Sequence, residues 1–439
     1  MKRIAKAWNG LALNWRIVIG LAVGVALGLI GPAVNYTFVV VPLLGTLFVS
    51  ALKAAAPILV FFLVMSALAN AKTSGAMKSV VVMYIVSTFI AAAVAVLFSA
   101  TFPTTLTLSG IERDEASAPS GIGQVLMTLL TNAVSNPVGS IANANFIGIL
   151  TWAILLGIAL RAASKNTKNV LANIADALIT VVRWVIACAP FGIMGLAYSA
   201  IAENGLNIFV EYGHLILVLV ACMVFIALVT NPIIAFVAFR KNPYPLILRC
   251  LKDSGITAFF TRSSAANIPV NMALCERLGL NKNNYSVSIP LGATINMAGA
   301  AVTITVMAMA TAHTMGISVD IPSAILLSAL AAVGACGASG VPGGSLLLIP
   351  LACGLFGIDP SISFQCVAIG LIIGVIQDSC ETALNSSSDV IFTASAEYRA
   401  LMKAGKPFAP GKDNGTFTEP EAEAIEAAEA TAAVEVAEA

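Results

Sequence analysis

Five polar side chains near the C-terminal end of the chain have the spacing of a single helical face. Residues 364–392 are mostly apolar, and the polar ones among them fall at i, i+3, i+4, i+7 and i+11: Asp378, Glu381, Thr382, Asn385 and Asp389. Because an α-helix has about 3.6 residues per turn, this spacing places all five on one face. Carboxylate, hydroxyl and amide groups gathered in this way can bind a cation or an amino group.

The composition places this helix in a membrane. The chain has 439 residues, of which 59% are hydrophobic and 10% charged, and its mean hydropathy is +0.93. Soluble domains carry about 25% charged residues. An acidic group at the bilayer centre costs about 2.5–3.5 kcal/mol, so three of them are expected to line an enclosed polar site. The net charge of +1 gives no electrostatic reason to expect a nucleic-acid partner.

The elements that position this face are predicted to be helices throughout. Apolar segments predict an all-α polytopic membrane protein with spans near 17–34, 43–69, 80–102, a broken region at 120–161, 170–201, 209–239, 285–313 and 362–396. Lys and Arg are concentrated in alternate loops, which predicts a multi-pass protein with cytoplasmic N- and C-termini.

Two further segments are apolar but interrupted. The first hairpin (residues 243–280) and the second hairpin (residues 320–358) each have a cluster of small and polar residues at the centre, at 261–267 and 337–345. Glycine and proline at this density break a helix and free backbone groups, which are tolerated at membrane depth only where protein, water or ligand meets them. Paired broken segments predict two re-entrant hairpins and a transporter's binding site. Two ordinary pairs of spans with glycine-rich packing remain the alternative.

Three regions follow from this organisation. Residues 1–242 are predicted to hold the N-terminal spans, mostly scaffold with some transport-domain helices. Residues 243–396 would form the transport core of hairpin, helix, hairpin and helix. Residues 397–439 end in an alanine- and glutamate-rich stretch, which predicts a cytoplasmic acidic tail.

Four motifs resemble the dicarboxylate/amino acid:cation symporter family, which has the glutamate-transporter fold. They are residues 262–269 (RSSAANIP), 290–297 (PLGATINM), 340–343 (GVPG) and the polar face at 378–389. The resemblance runs over nearly all of residues 10–396. It implies eight transmembrane helices plus two re-entrant hairpins, secondary active transport with elevator-type alternating access, a homotrimer, and the bacterial inner membrane.

Departures from the family pattern indicate the substrate. Members that carry acidic amino acids have NMDGT where this chain has Asn296-Met297-Ala298-Gly299-Ala300, and an arginine where it has Glu381. A glutamate would repel an acidic side chain, so the resemblance is nearest to the bacterial serine/threonine–sodium symporters. An acidic amino acid substrate and proton coupling are the alternatives within this fold.

The resemblance also implies a substrate site. Asp378 would receive the ammonium group of the amino acid, while Ser264 and backbone N–H groups of the hairpin tips would hold its carboxylate. Arg262 and Glu381 are expected to form an ion pair. The predicted substrate-binding residues are Arg262, Ser263, Ser264, Val341, Pro342, Gly343, Asp378, Glu381, Thr382 and Asn385.

Sodium is the coupling ion that the resemblance implies, with no organic cofactor. One site would use Gly292, Asn296, Asn385 and Asp389. A second would use carbonyl groups of Thr294, Met297, Ala335, Cys336 and Ala338. A third family site is doubtful, because Ala298 stands in place of its carboxylate, although Tyr84, Ser87 and Thr88 match its other ligands.

Two other functional classes have partial support in the sequence. Residues 337–340 (GASG) fit the GxSG pattern of intramembrane serine proteases, with His313 as the available base, but Pro342 would break the helix that such a serine begins. A channel would need a continuous polar path, whereas the polar residues are concentrated in the last third. We therefore expect a transporter and not an enzyme.

Overall fold

The computed structural model describes residues 11, 13–33, 38–70, 75–108, 127, 130–205, 208–338 and 343–413. These residues form helices and connections, with no strand among them. Six of the helices in this part of the chain are long and apolar enough to cross a membrane. The prediction of an all-α protein with several membrane-length helices is confirmed.

The helices of the N-terminal half are numbered where the structure describes both of their ends. In chain order they are α1 (Leu13–Ala33), α2 (Val40–Asn70), α3 (Gly75–Thr101), α4 (Pro137–Ala142), α5 (Phe146–Ala159), α6 (Lys165–Ala187) and α7 (Ala189–Asn204). Helix α2 packs on α5, α6 and α7, and α1 packs on α7. A Cβ atom at Gly20 or Gly24 of α1 would clash with the backbone carbonyls of Pro190 and Met194, so these glycines permit the close approach of the two helices.

The C-terminal half begins with two helices joined by a π-helical turn. They are α8 (Ile208–Phe225), the π turn Ile226–Thr230 and α9 (Asn231–Phe239). The remaining elements are α10 (Tyr244–Cys250), the π turn Leu251–Gly255, α11 (Ile256–Thr261), α12 (Ser264–Arg277), α13 (Lys282–Ile295), α14 (Ala298–Thr314), α15 (Ile321–Ala335), the 3₁₀ turn Ser345–Leu348, α16 (Ile349–Gly354) and α17 (Pro360–Lys403).

Both predicted hairpins are helix–break–helix structures. In the first hairpin the break lies at Arg262, whose φ of 52° is left-handed, and Ser263 accepts a hydrogen bond from the Ala266 N–H to start α12. In the second hairpin α15 ends at Ala335, and a 3₁₀ turn begins at Ser345. The predicted interruption at 261–267 is thus confined to Arg262 and Ser263, and the described residues of the interruption at 337–345 that precede Ser345 form turns and a bend. That the two segments are re-entrant stays a prediction.

The helix after the first hairpin is also interrupted. Helix α13 ends at Ile295, and α14 starts at Ala298. Asn296 and Met297 between them have non-helical backbone angles, with ψ of 78° and 48°. A break inside a membrane-length segment exposes carbonyl groups that a cation can use.

Helix α17 runs without interruption for 44 residues and is the centre of the C-terminal half. It packs against α9, both arms of the first hairpin, α13, α14 and α16. The helix continues through the boundary predicted at residue 396, and its last turns include the buried side chains of Glu397 and Tyr398. The segment that follows, residues 404–413, is called here the C-terminal strap; the acidic residues from 419 onward lie outside the described part of the chain.

The strap folds back on the start of the first hairpin. Phe408 stacks on Tyr398 with ring centroids 5.2 Å apart, and Lys241 Nζ lies 3.9 Å from the centre of the Phe408 ring. At its end Asp413 pairs with Arg249 at 2.9 Å. Aromatic stacking, a cation–π contact and an ion pair therefore join the end of α17 to the base of this hairpin.

Candidate functional site

The predicted polar face of α17 is buried inside the protein. Each of its five side chains is at most 5% exposed: Asp378, Glu381, Thr382, Asn385 and Asp389. The face meets the tip of the first hairpin, the break between α13 and α14, and the 3₁₀ turn of the second hairpin. Protein therefore encloses these five side chains, and their role in binding substrate and sodium stays a prediction.

Arg262 at the tip of the first hairpin forms an ion pair with Asp378. Its Nε donates to Asp378 Oδ2 at 2.8 Å, and both side chains are buried. Burial of a single charge would be costly, so each group stabilises the other. The left-handed backbone of Arg262 ends α11 and turns this side chain toward α17.

Glu381 has a different environment from the predicted one. Its Oε2 accepts hydrogen bonds from Thr303 Oγ1 at 2.7 Å, Ser345 Oγ at 2.8 Å and Gln377 Nε2 at 2.6 Å. The expected ion pair between Arg262 and Glu381 is therefore wrong. Asp378, one turn earlier on the same helix, is closer to the hairpin tip and takes the guanidinium.

The other predicted substrate residues lie around the two tips. Ser263 caps α12, and Ser264 is the buried first residue of that helix. Gly343, with φ of 74°, lines a cavity of about 180 Å³ together with Arg262 and Asp378. Two further predicted residues lie outside the described part of the chain: Val341 and Pro342.

Thr382 and Asn385 have hydrogen bonds that fix their side chains. Thr382 Oγ1 donates to the Asp378 carbonyl at 2.8 Å, which leaves its oxygen able to accept. Asn385 Oδ1 accepts from the Gly299 N–H at 2.7 Å. Asn385 thereby joins α17 to the first turn of α14.

The residues predicted for the first sodium site come together. Asn296 Nδ2 donates to Asp389 Oδ1 at 2.9 Å and to the Asn385 carbonyl at 3.3 Å. A Cβ atom at Gly292 would collide with the Asp389 carboxylate, so this glycine permits the close approach. Asp389 Oδ2 and Asn296 Oδ1 are buried and have no hydrogen-bond partner among the described residues. Unpaired buried oxygens, one of them from a carboxylate, match the hard oxygen ligands that such a cation needs.

The residues predicted for the second sodium site come from two elements that meet. Cys336 Sγ lies 3.5 Å from the Ile295 carbonyl, which brings the end of α15 next to the break after α13. This contact joins the segment containing Thr294 and Met297 to the turn containing Ala335 and Ala338.

The residues that match the family's third sodium site already have hydrogen bonds within the protein. Tyr84 OH donates to the Ser288 and Asp389 carbonyls, each at 3.2 Å. Ser87 Oγ donates to Asn231 Oδ1 at 3.3 Å, and Thr88 Oγ1 donates to the Tyr84 carbonyl at 2.8 Å. At the position of the missing carboxylate, Ala298 is fully buried and offers only a methyl group.

Sequence reasoning missed three partners of Glu381 and a polar cluster beneath the first tip. Gln377 lies one helical turn before Glu381, so the sequence could have predicted this contact. Thr303 and Ser345 are distant in sequence, and nothing local indicates their contacts with Glu381. The cluster consists of four fully buried side chains: Ser254, Asn267, Asn271 and Ser386. Their hydrogen bonds join both arms of the first hairpin to α17. It keeps the tip that carries Arg262 in register with the polar face.

Comparisons with known proteins cover most of the chain. Residues 13–398 match the family described as "Sodium:dicarboxylate symporter family". A protein named "Serine/threonine transporter SstT" from Streptococcus agalactiae serotype Ia is 56% identical over 405 residues, 92% of this chain and 100% of that relative. Proteins with the same name from Bifidobacterium adolescentis and Streptococcus thermophilus are 56% and 54% identical; each alignment covers 92% of this chain, with 94% and 100% of the relatives.

Proposed function

The chain belongs to the sodium:dicarboxylate symporter family, and from that membership we propose that it imports serine and threonine together with sodium. The family resemblance drawn from the four motifs is confirmed. A member of a symporter family with relatives named as transporters is a transporter and not an enzyme, so the protease alternative built on Ser339 and His313 is set aside. The family name also supports sodium as the coupling ion.

The observation that carries the choice of a neutral substrate is the charge distribution on α17. Asp378 is already paired with Arg262, while Glu381 and Asp389 form no ion pair among the described residues. In a buried site, the Glu381 carboxylate would repel a substrate whose side chain carries a second carboxylate. A zwitterionic amino acid with an uncharged side chain, accompanied by sodium, suits this distribution better than glutamate or aspartate.

The substrate is held between the two hairpin tips and α17 in this proposal. Asp378 receives the ammonium group, because a charge-assisted hydrogen bond in a buried site is strong. Ser264 and the backbone at the start of α12 bind the carboxylate, since the N-terminus of a helix favours an anion. Thr382 and Asn385 contact the remaining polar atoms, and Val341, Pro342 and Gly343 cover the site.

Sodium binds at the break between α13 and α14. The unpaired Asp389 Oδ2 supports a first site with Gly292, Asn296 and Asn385. The contact between the end of α15 and the break supports a second site at Thr294, Met297, Ala335, Cys336 and Ala338. We infer fewer coupled sodium ions than in carriers with the NMDGT motif, because Ala298 has no ligating oxygen.

Transport follows an elevator-type alternating access with eight spans and two re-entrant hairpins. The moving unit would contain residues 243–396, and the N-terminal spans would supply the scaffold of a homotrimer. A cavity of about 180 Å³ lies where α1, α6 and α7 face the hairpin tips and α17, and one of about 480 Å³ lies where α2 and α7 face α17. Both support a boundary between two bodies there. The glycine-rich second hairpin is the outer gate, since gates need residues that absorb large backbone changes.

Basic residues in alternate loops support a multi-pass protein of the bacterial inner membrane with cytoplasmic termini. The test of the whole proposal is uptake of labelled serine by proteoliposomes with an inward sodium gradient, compared with choline replacement, an imposed proton gradient and excess unlabelled aspartate. We expect sodium-dependent uptake that aspartate does not inhibit. Uptake driven by protons alone would contradict sodium coupling. Uptake abolished by aspartate would contradict a preference for neutral amino acids.

A further inference from the structure

Exposed basic side chains gather at the base of the first hairpin and at the end of α17. Five of them are called here the basic patch: Arg240, Lys252, Lys282, Arg399 and Lys403. None of the five forms an ion pair with another described residue. Glu276 at the end of α12 is also exposed, but it can balance at most one of them. Positive charge is therefore in excess on this surface.

An aromatic contact brings the end of α9 next to the end of α17. Phe239 packs edge-on against Tyr398, with ring centroids 5.6 Å apart. Arg240 and Arg399 directly follow these two rings in the sequence, so the contact places them near each other. Lys403 lies one helical turn beyond Arg399 on the same helix. Three members of the patch thus share one end of the molecule.

The start of α13 reaches the same place. The Asn281 N–H donates to Glu397 Oε1 at 3.0 Å, so the first residue of α13, Lys282, lies beside the turn of α17 that carries the arginine of the patch. Glu397 itself is buried by this contact and adds no exposed negative charge.

Lys252 belongs to this surface through the ion pairs of its neighbour. Asp253 pairs with Arg249 at 2.8 Å and with Arg277 at 3.1 Å, and Arg249 also pairs with Asp413 of the C-terminal strap at 2.9 Å. These carboxylates are already neutralised, whereas Lys252 is exposed. The strap therefore ends on the surface that carries the basic patch.

The chain beyond the strap has the opposite charge. Residues 414–439, called here the acidic tail, contain seven glutamates between positions 419 and 438 and no lysine or arginine. Because Asp413 is held at Arg249, the acidic tail starts beside the patch. An extended chain spans about 3.3–3.6 Å per residue, so the six residues from 413 to 419 can reach about 20 Å. The glutamates can therefore contact every member of the patch.

We propose that the acidic tail binds the basic patch of the same molecule, with its glutamates paired to the lysines and arginines at the base of the first hairpin, at the start of α13 and at the end of α17. Single exposed ion pairs contribute little, so the binding depends on several acting together. Covalent attachment supplies the second requirement, because a short flexible connection gives an effective concentration in the millimolar range. The bound tail reinforces the link that the strap makes between α17 and the first hairpin.

Anionic lipid headgroups are the competing occupant of such a surface, since basic residues beside membrane helices attract them. The tail is favoured because it is attached next to the patch and because its glutamates are spread along the chain as the patch is spread over several elements. Lipid binding and tail binding can be separated experimentally, because only the tail can form a covalent link between two parts of this chain.

The experiment is carbodiimide cross-linking of the full chain, which joins a carboxylate to an amine in contact with it, followed by mass spectrometry. The protein is held in nanodiscs of neutral phosphatidylcholine, and in nanodiscs that also contain phosphatidylglycerol. The measured quantity is the yield of cross-links from tail glutamates to Lys252 and Lys282. Lys165 is the matched control amine, since it is an exposed lysine at the start of α6, away from the patch.

We expect cross-links to Lys252 and Lys282 to exceed those to Lys165 in both lipid mixtures. Raising the salt from about 0.1 M to about 1 M shortens the Debye length from about 10 Å to about 3 Å, so most of these cross-links should be lost. Arg399→Gln removes a charge of the patch but no cross-linkable amine, and it should lower the yield. Arg161→Gln, at an exposed position after α5, should leave the yield unchanged.

Three results would overturn the inference. Cross-links that are no more frequent than those to Lys165, or that are insensitive to salt and to Arg399→Gln, would show that the tail does not bind the patch. Cross-links that disappear when phosphatidylglycerol is present would assign the patch to anionic lipid. Products that migrate as cross-linked dimers on a denaturing gel would place the tail on a neighbouring copy. The readout involves no substrate, so its outcome is independent of the proposed function.

Discussion

The guanidinium Nε of Arg262 lies 2.8 Å from Asp378 Oδ2, and the two side chains come from elements more than 100 residues apart in sequence. This pair neutralises one of the three acidic groups on the polar face of α17. Glu381 is held by neutral donors, and Asp389 keeps an oxygen unpaired among the described residues. In the proposed mechanism, sodium and the ammonium group of the substrate supply the positive charge that these two carboxylates lack.

The first prediction concerns Asp378. Replacement by Asn keeps the size of the side chain but removes the counter-charge for Arg262 and, in the proposed site, for the substrate ammonium. Removing one partner of a buried ion pair costs about 3–5 kcal/mol. We expect Asp378→Asn to lower serine uptake by about 100-fold or more, measured in proteoliposomes at matched protein content.

The control for this variant is Asp320→Asn. Asp320 caps the start of α15 outside the membrane-spanning helices, and asparagine caps a helix about as well as aspartate. This control should retain uptake. An Asp378→Asn protein with a KM for serine within about threefold of the wild type, less than about 0.7 kcal/mol, would show that Asp378 does not bind the ammonium group.

The second prediction concerns sodium. Asp389→Asn removes the charged ligand from the first proposed site while preserving a hydrogen-bonding oxygen. The sodium concentration for half-maximal serine uptake should rise by about tenfold or more, since tenfold corresponds to about 1.4 kcal/mol and the attraction between sodium and a buried carboxylate exceeds that. A sodium titration at fixed serine measures this change.

Ser395→Ala provides the matched control for the sodium titration. Ser395 is a buried residue of the same helix, and its hydroxyl donates only to the Ile391 carbonyl one turn earlier. Its sodium dependence should equal that of the wild type. If Asp389→Asn had an unchanged sodium dependence, the first sodium site would have to lie elsewhere.

The sequence contained enough information for the local features of the site. Periodicity placed Asp378 to Asp389 on one face, and the density of small residues predicted both hairpin breaks, because these patterns arise from neighbouring residues. The partner of Arg262 was predicted wrongly. Asp378 and Glu381 are three residues apart on the same face, and only the three-dimensional position of the hairpin tip decides between them.

The donors to Glu381 could not be predicted for a related reason. Thr303 lies on a helix of mostly apolar or small residues, so nothing local distinguishes it from Thr305 two residues later. The structure separates them: Thr303 faces Glu381, while the Thr305 hydroxyl has no hydrogen-bond partner among the described residues. Long-range packing determines which of two similar residues belongs to the site.

The third prediction concerns acid sensitivity at the start of α17. Hydrogen bonds from the hydroxyl and then the backbone N–H of Ser361 hold the pKa of Asp359 below its ordinary value. A lowered folded-state pKa contributes stability above the unfolded value of about 3.9 and loses it as the pH falls through the folded-state pKa. The contribution of Asp359 to stability should therefore stay constant between about pH 5 and 9.

Thermal unfolding of the detergent-purified protein from pH 3 to 7 tests this expectation. Asp359→Asn preserves the cap but cannot titrate, so its Tm should fall less steeply than that of the wild type below about pH 4. Parallel curves for the two proteins across the whole range would mean that the Asp359 cap contributes nothing to acid sensitivity.

The fourth prediction concerns the C-terminal strap. Phe408 stacks on Tyr398, meets Phe239 edge-on, and accepts a hydrogen bond from Lys241 through its carbonyl at 2.8 Å. Phe408→Ala removes both ring contacts and the cation–π contact, at a cost of about 2 kcal/mol for a half-buried aromatic side chain. We expect a lower Tm and weaker serine uptake, because the strap joins the end of α17 to the base of the first hairpin. Lys412→Ala, at an exposed strap residue, should change neither quantity. If Phe408→Ala unfolded at the wild-type temperature, the strap would not be a stabilising part of the transport unit.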